Sequence, residues 1–216
     1  MCGRFAQYEA RSDYLAALDS PLACHAAENR LPIGRYNISP GSRVLILNQR
    51  DTELHLEAVT WGYHPPWARE HHQPAMISTR ALILADGWYE WRTCLRHVER
   101  KQLYLSRRAR RPLFFTALGR FHSTAADAQD DSGFVLLTGP GERGPVDPRS
   151  RPPLALTDEG ARQWLDPALD IDAATVLAET TALTSTAFAW HPVSSAVGNI
   201  YNDSPQLIKP INDPVV

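Results

Sequence analysis

The stretch Leu82-Ile83-Leu84-Ala85-Asp86-Gly87-Trp88-Tyr89-Glu90-Trp91 joins an unbroken apolar run to an aromatic-rich one across an Asp-Gly pair. Short apolar runs rich in β-branched and aromatic residues, bounded by turn residues, read as strands, and Asp-Gly is a tight-turn dipeptide. Residues 82–91 are therefore expected in extended structure. After the turn, Trp88 and Glu90 should project from one face, because side chains alternate along a strand.

The same signature recurs at residues 103–106, 113–118, 134–138, 154–156 and 188–193. Upstream, residues 44–47 form a short apolar run after Pro40-Gly41, and residues 54–60 alternate as a half-buried strand does, with a connection near Arg50-Asp51. Residues 9–18 have helical composition, with Tyr14, Leu15 and Leu18 on one side and Pro21 beyond the end. Thr157 followed by Asp158 and Glu159 is an N-cap with acids in the first turn, opening a helix through Trp164-Leu165 that stops before Pro167. A second helix is expected over residues 172–181. Residues 123–132 read as a solvated loop, and the basic run Arg107-Arg108-Ala109-Arg110-Arg111-Pro112 as a hairpin tip between two strands. The sum is an α+β fold of mainly antiparallel, barrel-like strands with a few peripheral helices. A single domain is expected over residues 1–216, with a C-terminal tail from about residue 200.

Composition narrows the function classes. The 216 residues are 44% hydrophobic and 21% charged, enough to build a core, and no apolar run nears the roughly 18–20 residues of a membrane span. The N-terminus lacks a signal-peptide pattern, so cytoplasmic residence, no membrane contact and a monomer are expected. With 22 Lys plus Arg against 24 Asp plus Glu, any nucleic-acid site must be a local patch. Three cysteines, Cys2, Cys24 and Cys94, suggest free thiols rather than a disulfide framework. Cys24-His25, His71-His72 and Cys94-x-x-His97 lack zinc-site spacing, and there is no Gly-rich phosphate loop or GxSxG elbow, so neither metal nor cofactor is expected.

Cys2 carries the sharpest chemical signal. Removal of Met1, favoured before a small side chain, would leave a cysteine with both a free amine and a thiol. An α-amino group titrates at about 7.7–8.0, against about 10.4 for lysine, so a useful fraction is nucleophilic near neutrality. Such a 1,2-aminothiol can capture an aldehyde as an imine and close it to a thiazolidine. The alternative is an incidental residue on a frayed terminus. Glu90, between Tyr89 and Trp91, is either a surface charge or a proton carrier whose apolar neighbours raise its pKa.

The strings MCGRF at the N-terminus, GRYNISPG at 34–41, WGYHPPWA at 61–68, ADGWYEW at 85–91 and WHPVSSAVGN at 190–199 resemble the SOS response-associated peptidase (SRAP) family. The resemblance spans residues 1–199. It implies a sensor of abasic sites in single-stranded DNA that forms a covalent thiazolidine cross-link through Cys2, with Glu90 as the catalytic glutamate. It also implies DNA contacts from Arg4, Asn37 and Trp67. Arginine grips phosphate bidentately, asparagine bonds a backbone or base edge, and indole stacks on a base.

Two departures stand out. The family's segment between the WGY and ADG motifs is shortened here, so that Ser78 stands where an active-site asparagine is expected and Arg80 aligns with a phosphate-binding arginine. The family's His-x-Arg-x-Pro signature appears as Arg149-Ser150-Arg151-Pro152-Pro153, and arginine, always protonated, cannot shuttle a proton as imidazole does. Arg149 retains the capacity to bind phosphate or a sugar hydroxyl. His191 belongs to a separate motif and reads as a hydrogen-bonded structural residue. Cross-linking needs chiefly Cys2, an aldehyde and Glu90, whereas strand cleavage and cross-link reversal are placed in doubt. Two other readings compete: a degenerate member that binds single-stranded or junction DNA non-covalently, and an N-terminal-nucleophile peptidase, limited or not to removing Met1.

Overall fold

Residues 82–91 form neither one strand nor a hairpin. In the computed structural model, which describes residues 3–26, 33–62, 79–93, 100–107, 111–120, 133–139 and 151–211, the chain changes sheets at Asp86. The elements run β1 (Phe5–Gln7), α1 (Arg11–Leu18), β2 (Cys24–Ala26), β3 (Arg35–Ile38), β4 (Arg43–Arg50) and β5 (Glu53–Thr60). They continue with β6 (Thr79–Ala85), β7 (Gly87–Thr93), β8 (Arg100–Arg107), β9 (Leu113–Arg120), β10 (Gly133–Leu136) and β11 (Ala155–Leu156). Last come α2 (Asp158–Leu165), α3 (Ile171–Thr180) and β12 (Phe188–Val193), with short 3-10 turns at Ser185–Ala187, Ser195–Gly198 and Pro205–Ile208.

Sheet A has the order β12-β8-β7-β1-β3, and sheet B the order β10-β9-β6-β4-β5-β2, with β11 added on β9. Pairings are antiparallel except the three-residue β2–β5 contact, so the α+β, mainly antiparallel architecture is the one the residue pattern implies. The β4–β5 hairpin turns at Asp51, which takes a positive φ of 52°. The expected hairpin around Arg107–Pro112 is corrected: β8 lies in sheet A and β9 in sheet B, so that segment crosses between sheets. Arg111 at its end pairs with Asp158 at 2.7 Å. Residues 123–132 lie outside the described residues.

The sheets curl into a half-barrel around a core that includes Phe5, Ile38, Trp88, Leu103 and Leu105 from sheet A, and Val44, Ile46, Ile83, Phe115 and Phe134 from sheet B. Alternation sends Leu45, Leu47, Leu82, Leu84 and Phe114 to the opposite side of sheet B, where Tyr14, Leu18 and Trp164 of the helices cover them. The outer face of sheet A packs Tyr89, Tyr104 and Val193 against Val197 and Leu207 of the C-terminal 3-10 turns. Helix α2 starts as expected, with Thr157 Oγ1 accepting from the Gly160 amide at 3.1 Å. Helix α3 starts at Ile171 rather than residue 172, because Asp170 is its N-cap.

Two polar side chains join the layers. Strands β4 and β6 pair through Ile46–Ile83, Leu47–Leu82 and Asn48–Ala81. One step further, the wholly buried Gln7 carboxamide bridges them. Its Nε2 donates to the carbonyls of Leu45 and Leu84 at 2.8 and 2.6 Å, and its Oε1 accepts from the Leu45 amide at 3.1 Å. The expected Asp-Gly turn is likewise corrected to a buried corner. Asp86 Oδ2 accepts from the Tyr14 hydroxyl at 2.6 Å and the Tyr8 and Glu9 amides, tying α1 to the β6–β7 junction. Gly87 is required there because a Cβ would approach the Leu105 carbonyl and the Tyr104 ring closer than 3.0 Å, a distance real Cβ atoms essentially never show.

Replacing Gln7 with alanine orphans two carbonyls and one amide in the buried interior, and is expected to destabilise the protein by about 2–4 kcal/mol, read as a lowered urea midpoint. An unchanged midpoint would remove Gln7 as the bridge. Burial raises the Asp86 carboxyl from 3.8 to about 6, against the opposing pull of its hydrogen bonds from Tyr14, Tyr8 and Glu9. The folded state thus holds this proton more tightly than the unfolded chain. The group's contribution to stability is full below 3.8 and is lost as pH rises through about 6. Denaturation midpoints measured from pH 4 to 7 should therefore fall more steeply with pH in the wild type than in Asp86→Asn; parallel curves would refute the assignment.

Candidate functional site

Alternation along β1 and β3 sends Phe5 and Ile38 inward and leaves Arg4 and Asn37 on the outer face of sheet A, where they meet. Arg4 Nη1 donates to Asn37 Oδ1 at 2.8 Å and to the Val197 carbonyl at 2.6 Å, while Nη2 reaches the Gly198 carbonyl at 3.1 Å. Asn37 Nδ2 faces the carbonyls of Val197, Asn199 and Asn202 at 2.8–3.1 Å. Asp203 accepts from Arg35 and from the Tyr36 and Asn37 amides. Residues 197–203 are thereby stapled onto β3. Asn37 is only 2% exposed, with both of its amide protons engaged, so it acts as an internal bracket for Arg4 and this loop. Arg4 remains part-exposed, and burial pulls its pKa down.

Glu90 lies on the other face of sheet A. It pairs across with Leu103 and shares its face with Trp88, both members of the inter-sheet core, and is 6% exposed. A carboxylate so placed is not a solvated surface charge. The β1–β7 register pairs Phe5 with Trp88 and Ala6 with Gly87, and the Tyr89 amide donates to the Arg4 carbonyl at 3.0 Å. Extending the register two residues past Phe5–Trp88 sets the exposed Gly3 opposite Glu90, with no atom of the described residues within 4 Å of where a Gly3 side chain would stand. The strand carrying Arg4 thus ends beside the strand position of Glu90.

Arg80 does not join this group. It stands on the helix-facing side of sheet B, donating to the carbonyls of Trp164 at 2.8 Å and Asp166 at 2.5 Å, with its guanidinium over the Trp164 ring. It caps the C-terminal end of α2, whose unpaired carbonyls attract a cation. In this position its guanidinium holds the end of α2 and lies apart from Arg4 and Glu90. His191 behaves as a structural residue, its Nε2 bonded to the Ile208 carbonyl at 2.8 Å. Cys2, Trp67, Ser78 and Arg149 lie outside the described residues. Cys24 is a free thiol whose pKa burial pushes up. Among the described residues, no group of three or more His, Cys, Asp or Glu is placed to hold a metal, and no helix is long and apolar enough to cross a membrane. A cavity of about 330 Å³ lined by Leu18, Leu22, Leu54, Arg162 and Leu165 lies on the helix side, away from Arg4 and Glu90. Sequence reasoning missed Asp203 and Asn202 as the partners that position Asn37; their signal is the polar Asn-Asp pair close behind WHPVSSAVGN.

Among known proteins, the family model described as SOS response associated peptidase (SRAP) matches residues 1–81 and 71–200. The abasic site processing protein YedK of Escherichia coli is 37% identical over 228 residues, covering 98% of this chain and 100% of that protein. The abasic site processing protein YoqW of Bacillus subtilis is 25% identical over 233 residues, covering 97% and 99%. The crystal structure of a phage-related protein from Bordetella bronchiseptica superposes with a TM-score of 0.71 at 32% identity, covering 90% of this chain and 95% of that one. A Bacteroides thetaiotaomicron protein shares the fold at a TM-score of 0.74 and 14% identity, covering 97% and 100%. With the family model matched along nearly its whole length and a relative aligned from end to end, the chain belongs to the SRAP family.

Proposed function

We propose that this protein recognises abasic sites in single-stranded DNA and captures them covalently through Cys2 once Met1 is removed, the removal itself being a candidate self-processing activity. The deoxyribose aldehyde of the opened abasic sugar reacts with the Cys2 amine, forming a C=N bond and releasing water. The Cys2 thiol then adds to that carbon, its proton passes to the nitrogen, and a thiazolidine closes. Glu90 moves protons in the dehydration and ring-closing steps, which a positioned carboxyl accelerates by about 10²–10⁴-fold.

The observation that carries this reading is the buried Glu90 carboxyl on the strand that Gly3 faces, one residue from Cys2. The full-length relatives named abasic site processing proteins support the DNA substrate. Arg4, bracketed by Asn37, is a cation suited to a phosphate. With Arg149 in place of the family's histidine, capture is the principal activity and lyase turnover the weaker one, since a guanidinium cannot relay protons.

The test incubates protein of mass-verified N-terminus with single-stranded DNA holding one abasic site, followed on a denaturing gel. A shifted band is expected from wild type, none from Cys2→Ala, and a band forming about 10²–10⁴-fold more slowly from Glu90→Gln. No band from correctly processed wild type, or an undiminished one from Cys2→Ala, would overturn the proposal. Retained DNA binding without a band would favour a non-covalent binding module, and cleavage of an unrelated peptide an N-terminal-nucleophile peptidase.

A further inference from the structure

Tyr201 is 88% exposed and its neighbour Ile200 53%, the former the most open large apolar side chain among the described residues. Exposed aromatics on loose loops are common, but this tip is held rigidly. Asn37 Nδ2 binds the carbonyls of Asn199 and Asn202 on either side of it, and the Tyr201 amide donates to Asn199 Oδ1 at 3.0 Å. The Asn202 amide donates to the Asn199 carbonyl at 3.1 Å, Asn202 Nδ2 reaches the Ala196 carbonyl at 2.8 Å, and Asp203 anchors the far end to β3. A preorganised ring loses little freedom when something packs on it.

We infer that the Ile200-Tyr201 tip is a stacking platform for the bases of single-stranded nucleic acid. Two observations choose this occupant. The Arg4 guanidinium contacts the carbonyl of Gly198, three residues before Tyr201 in the same stapled loop, so a group of the kind that grips phosphate adjoins the tip's own loop. Trp91, 45% exposed, shares the outer face of sheet A with Tyr89 and Arg4, giving that face a second open aromatic. Aromatics beside a cation are the elements of sequence-tolerant single-strand binding. A protein partner is disfavoured because two side chains fall far short of the roughly 800 Å² per partner that stable interfaces bury. The inference rests on the DNA reading above and adds the route by which strand flanking the lesion is held.

The test measures fluorescence anisotropy of a labelled oligothymidylate without an abasic site on the full chain. Tyr201→Ala is expected to weaken binding about tenfold or more, with Tyr201→Trp close to wild type, because stacking needs only a ring face. The dependence of log affinity on log salt should keep its slope in both variants, as no phosphate contact is removed. The melting temperature of Tyr201→Ala should match wild type, given the exposure of the side chain. Wild-type affinity in Tyr201→Ala, equal losses in both variants, or a reduced salt slope would each overturn the stacking role. Abasic-site cross-linking at saturating DNA separates the two claims. If it persists while Tyr201→Ala binds oligothymidylate normally, only the platform fails; if wild type neither binds nor cross-links, both fail.

Discussion

The carboxamide of Gln7 occupies the place where the β4–β6 ladder stops, supplying to Leu45 and Leu84 the hydrogen bonds that a neighbouring strand would otherwise give. Because Gln7 belongs to β1 of sheet A, this one side chain locks the N-terminal strand to the opposite sheet. An amide that satisfies buried carbonyls on two strands cannot slip by a residue without leaving all of them unpaired. The register of β1 against β7 follows, Phe5 opposite Trp88 and Ala6 opposite Gly87. Asp86 reinforces the same arrangement by tying the end of β1 and helix α1 to the sheet-switching corner.

That anchoring separates the polar residues of sheet A between its two faces. Strand alternation places Arg4 and Asn37 outward and Glu90 inward, on opposite sides of one sheet. Asn37 serves this division from within. By holding Arg4 and the carbonyls of residues 197–202 together, it couples the N-terminal strand to a loop nearly 200 residues further along the chain.

Much of the architecture was legible from local pattern. Helices α1 and α2, the β4–β5 pair, and strands at β8, β9, β10, β11 and β12 follow from apolar periodicity, Thr157 capping and the turn at Asp51. Strands β1, β2 and β3 were not legible, because three or four residues carry too short an alternation to stand out and are held by their partners rather than by propensity. The Asp86-Gly87 dipeptide misled for a related reason. A tight turn and a buried corner share the same local composition, and only the Tyr14 hydroxyl and the Tyr104 ring, both distant in sequence, distinguish them.

The amino-acid sequence by itself determined the secondary-structure class, the family motifs and the facing of Trp88 and Glu90, since these depend on residue type and a two-residue period. Tertiary structure alone decided which of the polar residues work together. Arg80 and Arg4 are chemically alike, yet one meets the carbonyl end of α2 and the other the loop bracketed by Asn37. A guanidinium is equally suited to a helix end, a loop carbonyl or a phosphate, so its role is set by which of these the packed sheets bring within about 3 Å of it.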